Sequence, residues 1–301
     1  MELRDIEYFA VVAEHGNVRR ASETLGLSPP ALSKSLRRLE QSMQAKLVER
    51  TPKGVALTPV GTALLAQVRR LRVTLSDIKR EAEDLSRGRA GHLRVGVGAT
   101  TVEQLPAAYV DLLKESPRLT GQIVVGDNDV LVPSLREGGL DLIFNVIPES
   151  PYEGCVQEHL FDDEFVVCAS ADHRLAKRKR VTIADLADEE WALSAPAVLN
   201  VQHIHRAFQA RGLPEPRIAI EARPVQVRLE ICASTNLLSF NTRRTLQQVA
   251  PRLRLRELPV DELRWRRPFG VIYRNEAYLS PAARRLIEVL RAVTRRVGRD
   301  Q

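Results

Sequence analysis

From Gly61 to Leu85, small or apolar residues stand at Gly61, Leu64, Val68, Leu71, Leu75, Ile78, Ala82 and Leu85, spaced three, four, three, four without a break. Such a repeat puts them in one narrow stripe along a helix. The positions between them are largely Arg, Lys, Glu, Asp and Gln. That rim is too polar for a helix sunk in a core, so the stripe calls for a second helix against it. A long helix is therefore predicted to start at Pro59, with Thr58 as its cap, and to make the chain a dimer.

Ahead of that helix the periodicity predicts three shorter ones. Leu3, Ile6, Phe9, Val12 and Ala13 line one face of residues 3–14, and His15-Gly16 ends it. Asn17 can cap a second helix carrying Val18, Ala21 and Leu25. Gly26-Leu27 turns the chain, Ser28 caps the third helix, and Pro29 sits where a missing N–H costs nothing. The third helix is apolar at Leu32, Leu36, Leu39 and Met43, while Pro30, Ser33, Lys34, Arg37 and Gln41 mark its other face. Lys46–Arg50 and Val55–Leu57 then read as a small hairpin with a basic tip.

Short helices, a Gly-containing turn and a helix with a polar, basic face make a helix-turn-helix, whose last helix fits the DNA major groove. Charge agrees with this. Between Asn17 and Lys53 there are eight basic and three acidic residues, which accounts for +5 of the chain's net +7. Ser33 and Lys34, near the start of the third helix, are expected to reach base edges. Arg37, Arg38, Arg19 and Arg20 are better placed for phosphates, which fix register without reading sequence. Ser28, Pro30, Arg50 and Lys53 complete the expected set. Taken alone, the same residues also fit a three-helix packing module whose basic face is merely solvated.

Leu27-Ser28-Pro29-Pro30-Ala31-Leu32-Ser33, Leu39-Glu40, Leu47, Arg50 and Leu57-Thr58-Pro59-Val60-Gly61 together resemble the winged helix-turn-helix of LysR-type transcriptional regulators. The resemblance runs through the long helix and more loosely along the whole chain. Three residues depart from the family pattern. Pro29 replaces a polar, often Gln, side chain that touches DNA; Gln44 replaces Gly and Val48 replaces Phe, two changes that read as packing adjustments.

Ser86-Arg87-Gly88-Arg89-Ala90-Gly91 is a small, polar hinge, after which strand and helix signals alternate. Strands are expected at His92–Gly98, Gln122–Val125, Leu140–Val146, Phe165–Cys168, Glu190–Leu193, Arg217–Ala222, Asn236–Phe240 and Phe269–Tyr273. Helices are expected at 102–114, 130–138, 202–211, 225–233 and 281–297. That order predicts an α/β region with a largely parallel sheet. The resemblance implies more: a two-lobed, periplasmic-binding-protein-like effector domain, with crossings near Phe161–Asp163 and Arg266–Pro268. Gly139-Leu140-Asp141-Leu142, Asp172-His173-Arg174-Leu175-Ala176 and Asp185-Leu186-Ala187-Asp188 also fit. The expected organisation is a winged helix-turn-helix over 1–58, a dimerising linker helix over 59–89 and an effector domain over 90–301. Its first lobe is 90–161 plus 268–301 and its second 162–267.

A cleft between lobes is a natural small-molecule site. Gly96-Val97-Gly98-Ala99-Thr100-Thr101 stands between a strand and a helix start, where free N–H groups favour an anion. Thr100 and Thr101 either add hydrogen bonds to such a ligand or simply cap the helix. Ser194 and Asn200 flank the strand-to-helix turn of the second lobe, as contacts or as ordinary turn residues, and Asn145 completes the set. Phe240 is assigned to the core. A dinucleotide reading of the GxG fails because Thr101 stands where the third Gly belongs.

Cys155, Cys168 and Cys232 form no CxxC pair, and the charged start has no signal-peptide core, which fits a reducing cytoplasm. No stretch is apolar enough to span a bilayer. No metal, cofactor or catalytic constellation is expected: His203 and His205 point to different helix faces, and Lys177-Arg178-Lys179-Arg180 reads as a solvated loop. The expected partners are double-stranded DNA, a small-molecule effector with an organic acid preferred, and a second copy of the chain. The resemblance adds a tetramer and RNA polymerase. An enzyme or solute-binding protein with an accessory DNA module, and a nucleoid-type binder without effector, are the competing classes.

Overall fold

A computed structural model describes residues 2–52, 54–87, 91–195, 198–275 and 277–297. Lys53, Gly88, Arg89 and Ala90, and the side chain of Leu85, lie outside what is described. The chain forms two compact units, residues 1–79 and 80–301.

The first unit starts with α1 (Leu3–His15), which stops at Gly16 in the left-handed region at φ 60°. Asn17 accepts from the N–H groups of Arg19 and Arg20 at 2.8 and 3.2 Å and starts α2 (Val18–Leu25). Ser28 accepts from the Ala31 N–H at 3.3 Å and starts α3 (Pro29–Met43). The hairpin follows as β1 (Val48–Thr51) against β2 (Gly54–Leu57), each strand shifted slightly from the apolar runs. Thr58 accepts from the Gly61 N–H at 3.0 Å and donates to the Lys46 carbonyl at 2.7 Å, which ties the wing to the start of α4 (Pro59–Arg87). Phe9, Ala21, Leu32, Leu36, Leu39 and Leu47 make the core, joined by Leu65 and Val68. The expected stripe on α4 is thus divided. Gly61 and Val68 are buried within their own unit, because the winged helix needs an apolar lid. From Leu71 to Ile78 the stripe is open, with Leu71, Leu75 and Ile78 exposed by 39, 43 and 57%.

Gln44 is not a packing change. It closes α3 with φ 51°, a conformation that glycine adopts freely and other residues do not. Its side chain is exposed, so nothing offsets the strain. The left-handed penalty of about 1–2 kcal/mol exceeds the extra entropy glycine loses on folding, about 0.5–1 kcal/mol. Gln44→Gly is therefore expected to stabilise this unit by about 0.5–1 kcal/mol, read as a higher urea midpoint at unchanged slope.

The second unit continues through β3 (His92–Val97), a 3₁₀ turn at Val102–Gln104, α5 (Leu105–Glu115), β4 (Thr120–Val125), α6 (Asn128–Arg136) and β5 (Leu142–Val146). Then come β6 (Cys155–Ser170), β7 (Glu190–Leu193), α7 (Leu199–Gln209), β8 (Arg217–Glu221), α8 (Val225–Ser234), β9 (Ser239–Thr242), α9 (Arg243–Leu253) and β10 (Leu255–Glu257). β11 (Trp265–Arg274) and α10 (Pro281–Val297) end it. The main sheet runs in the order β10-β6-β11-β5-β3-β4, with β9 also on β6. Only β3/β4 and β3/β5 pair parallel within it; β5/β11, β6/β11, β6/β10 and β6/β9 are antiparallel. The expectation of a largely parallel sheet is therefore wrong. The reason is that β6 and β11 are long return strands lying side by side, whose partners are chosen by tertiary packing rather than by alternation along the chain. They pair Arg267 with Asp163 and Pro268 with Asp162, so the two expected crossings are neighbours in space. Phe161 stacks on Phe269 there, with ring centroids 5.1 Å apart. A smaller parallel pair, β7 with β8, lies on the other side of this crossing in sequence. No helix among the described residues is long and apolar enough to cross a membrane.

Candidate functional site

In the first unit, α3 buries Leu32, Leu36 and Leu39. Helical spacing then sets Pro30, Ser33, Lys34 and Arg37 together on the opposite side, where Pro30, Lys34 and Arg37 are exposed and Ser33 is half-buried. The Ser28 hydroxyl is engaged in capping. Arg19 lies 3.6 Å from Glu23, and Lys46 lies 3.0 Å from Glu40. Arg20, Lys34, Arg37 and Arg50 are exposed and form no ion pair among the described residues. The wing is pinned beside them. Val55 donates to the Gly16 carbonyl at 2.8 Å, and Glu40 accepts from the N–H groups of Leu47 and Val48 at 3.0 and 3.4 Å.

Arg38 differs from its neighbours. Its Nε donates to Asp5 at 2.7 Å and its Nη2 to the other carboxylate oxygen, so the guanidinium fork is turned back into the protein. Asp5 is fully buried and also accepts from Ser35 Oγ at 2.5 Å. The Arg38 hydrogen bond, joined by that from Ser35, holds the Asp5 carboxyl below its ordinary value despite the opposing effect of burial. The phosphate role expected for Arg38 is therefore corrected to a structural one, fixing α1 to α3. Nothing in the sequence near Arg38 signals this, because Asp5 is 33 residues away.

In the second unit, a cavity of about 380 Å³ is lined by Thr100 and Asn145 together with Ser194 and Asn200, four of the five expected residues. Thr101 is not among them. It is fully buried, and its hydroxyl donates to the carbonyls of Gly98 and Phe144 at 3.1 and 2.9 Å, so it ties β3 to β5. The helix start expected beside it is a 3₁₀ turn, and α5 begins only at Leu105. Asn145 donates to Asn128 Oδ1 at 2.8 Å, and a Cβ on Gly98 would lie 2.0 Å from Asn145 Oδ1. Gly98 is thus required for close approach rather than for a phosphate. Phe240 is core, 5.5 Å from Phe165, and His203 stacks on Trp265 at 4.4 Å.

The residues that dominate the cavity were not in the expected set. Asp127 comes from the turn between β4 and α6, Asp129 from the first turn of α6, Arg223 from the turn before α8, and Arg228 from α8 itself. Arg223 bridges to Asp127 at 3.3 Å and to Asp129 at 3.1 Å, and Ser194 donates to Asp127 at 3.4 Å. Burial, and then the neighbouring Asp129 charge, push the Asp127 carboxyl above its ordinary value. Arg228 is 3% exposed, and among the described residues its guanidinium donates only to neutral oxygens: those of Ala222 and Arg223 at 2.6 and 2.8 Å and Asn241 Oδ1 at 3.4 Å. Its Nε has no partner, and burial lowers its pKa. The rule that ligands sit beyond the carboxyl ends of strands points to the turns after β4 and β8, and so to Asp127 and Arg223. Applied to every strand-to-helix turn, it was enough to find them.

Two family models match the chain: "LysR substrate binding domain" over residues 86–295 and "Bacterial regulatory helix-turn-helix protein, lysR family" over residues 3–62. The HTH-type transcriptional regulator GbpR of Azospirillum brasilense is 29% identical over 297 residues, covering 98% of this chain and 87% of that one. The fold is similar to that of full-length CbnR complexed with its target DNA, with TM-score 0.63, 23% identity and coverage of 97% of this chain and 100% of that one. It is also similar to the regulatory domain of CcmR from Synechocystis PCC6803 in complex with 2-PG, with TM-score 0.61, 22% identity and coverage of 67% and 97%.

Proposed function

Because the chain belongs to the LysR family of DNA-binding transcription regulators, whose members bind small-molecule effectors, oligomerise and are not enzymes, we propose that it couples a small organic anion to promoter DNA. The observation that carries the anion is Arg228: it is buried in the cavity wall, hydrogen-bonds only neutral oxygens among the described residues, and shares the nearby Asp127 charge with Arg223, which pairs with Asp127 and Asp129 directly, so it attracts a further negative group. This rests on a different feature from the Thr100-Thr101 helix start. A thermal-shift screen of the full chain tests it. Small carboxylates are expected to raise the melting temperature, by the equivalent of about 2.7 kcal/mol at a hundredfold excess over Kd. Arg228→Gln is expected to abolish the response. Stabilisation by neutral or cationic compounds alone would overturn the reading.

On the DNA side, Ser33 and Lys34 read base edges, while Arg20, Arg37 and Arg50 hold phosphates; Arg19, Ser28 and Pro30 lie beside them on the same surface. Lys34→Ala is expected to relax sequence preference. Arg37→Ala is expected to weaken all sequences alike and to reduce the salt slope by about 1. Arg38→Ala is expected to leave that slope unchanged and to destabilise the unit, because Asp5 loses its cation. Binding isotherms across a salt series check all three, and a slope change from Arg38→Ala as large as that from Arg37→Ala would restore its phosphate role. The domains divide at 1–58, 59–89 and 90–301. The protein acts in the cytoplasm as a linker-helix dimer assembled into a tetramer, and effector binding alters DNA bending and contact with RNA polymerase.

A further inference from the structure

Two acceptors in the cavity ask for something that an anion alone does not supply. Asp127 stands at the N-cap position of α6 in extended conformation, yet its side chain makes no capping hydrogen bond. An aspartate there ordinarily gains about 1 kcal/mol by accepting from the first-turn N–H groups. Its carboxylate lines the cavity instead. Ser194 and Arg223 both reach the same oxygen, Oδ2, at 3.4 and 3.3 Å. Oδ1 has no partner among the described residues. Across the cavity, Asn200 Oδ1 is buried and likewise unpartnered. A buried acceptor left empty costs about 1–3 kcal/mol, which applies to Asn200 Oδ1; Asp127 Oδ1, on a side chain that is 25% exposed, adds a charged acceptor open to the cavity, and together they favour a ligand that brings its own donors.

Resting on the anion reading above, we propose that the effector is an acid that also carries a hydroxyl or amino group. Its anionic end faces Arg228, and its donor is shared between Asp127 and Asn200. A plain carboxylic acid of the same skeleton satisfies the cation and leaves both acceptors empty. A plain polyol does the reverse, leaving Arg228 uncompensated. The site selects against both by the same means, an unpaired buried polar group. The two donor chemistries are separable, because an ammonium forms an ion pair with Asp127 and a hydroxyl does not.

Calorimetric titration of the full chain with skeleton-matched series tests this: acetate, glycolate and glycine; succinate, malate and aspartate; phenylacetate, mandelate and phenylglycine. Glycerol serves as the uncharged control. In the series that fits the cavity, the hydroxy or amino acid is expected to bind about ten- to a hundredfold more tightly than the unsubstituted acid. Asp127→Asn, close to isosteric, is expected to shrink that gap to about threefold or less. Asn200→Ala narrows it independently. Acids that bind without donor preference, or a gap that survives Asp127→Asn, would overturn this inference and leave the anion reading standing. Binding of glycerol in the absence of any acid, or of no member at millimolar concentration, would overturn both.

Discussion

A chain carrying Leu75→Glu and Ile78→Glu is expected to sediment as a monomer and to bind its full DNA site about a hundred- to ten-thousandfold more weakly than the parent. Leu75 and Ile78 are exposed by 43 and 57% in the single chain, so the change removes little of the unit's own packing. Substitutions of this kind ordinarily cost within about 0.5 kcal/mol. In a dimer the same side chains face their copies, and four glutamates in one apolar seam repel each other without solvent to screen them. Loss of pairing turns a two-handed grip into a one-handed one, and the affinity lost is the effective concentration of the second recognition helix. Sedimentation and anisotropy on the same samples check the outcome. A stable dimer in the variant would move the pairing surface away from the linker helix.

Gly61→Ala is expected to destabilise the winged helix by about 1–2 kcal/mol, a sign opposite to the usual one. In the interior of a helix alanine outranks glycine by about 1 kcal/mol. Gly61, however, faces the Leu47 carbonyl so closely that a Cβ would lie 2.0 Å from its oxygen and 2.9 Å from its carbon. Both atoms are backbone and cannot swing aside. Either the first turn of α4 leaves the wing or β1 shifts with Arg50, and overpacking of this kind costs typically 1–3 kcal/mol, occasionally more. The steric term exceeds the propensity gain. Urea denaturation of the variant gives the sign directly, and its DNA affinity is expected to fall with the wing displaced. A more stable variant would mean that the α4 start and wing are loosely packed. Gln44 is the mirror case, where glycine is absent from a position whose φ of 51° suits it.

Local signals in the sequence were reliable where the physics is local. Asn17, Ser28 and Thr58 were identified as caps, and each accepts a backbone N–H as expected. Those bonds depend on residues two or three positions away. What was hidden depends on distant partners. The role of Arg38 is decided by Asp5, the antiparallel character of the main sheet by the pairing of β6 with β11, and the loss of Gly61 and Val68 from the pairing stripe by the core of the winged helix. Helix α9 also had no clear stripe, since it carries Pro251 and a largely polar sequence. At the cavity, the family resemblance supplied the expectation of a cleft, and Thr100, Asn145, Ser194 and Asn200 do line the cavity. Of the charged residues that give it a chemistry, Asp127 and Arg223 follow from the strand-to-helix turns, whereas Arg228 is an ordinary surface type in sequence and acquires meaning only through its burial and its unpartnered Nε.

The most direct test of the central claim is fluorescence anisotropy of the purified chain with the DNA upstream of its own gene, against scrambled DNA of equal length, across a salt series. A sequence-specific regulator predicts a preference on the order of a thousandfold or more that persists as salt rises. Equal affinity for both DNAs, collapsing together with salt, would contradict it.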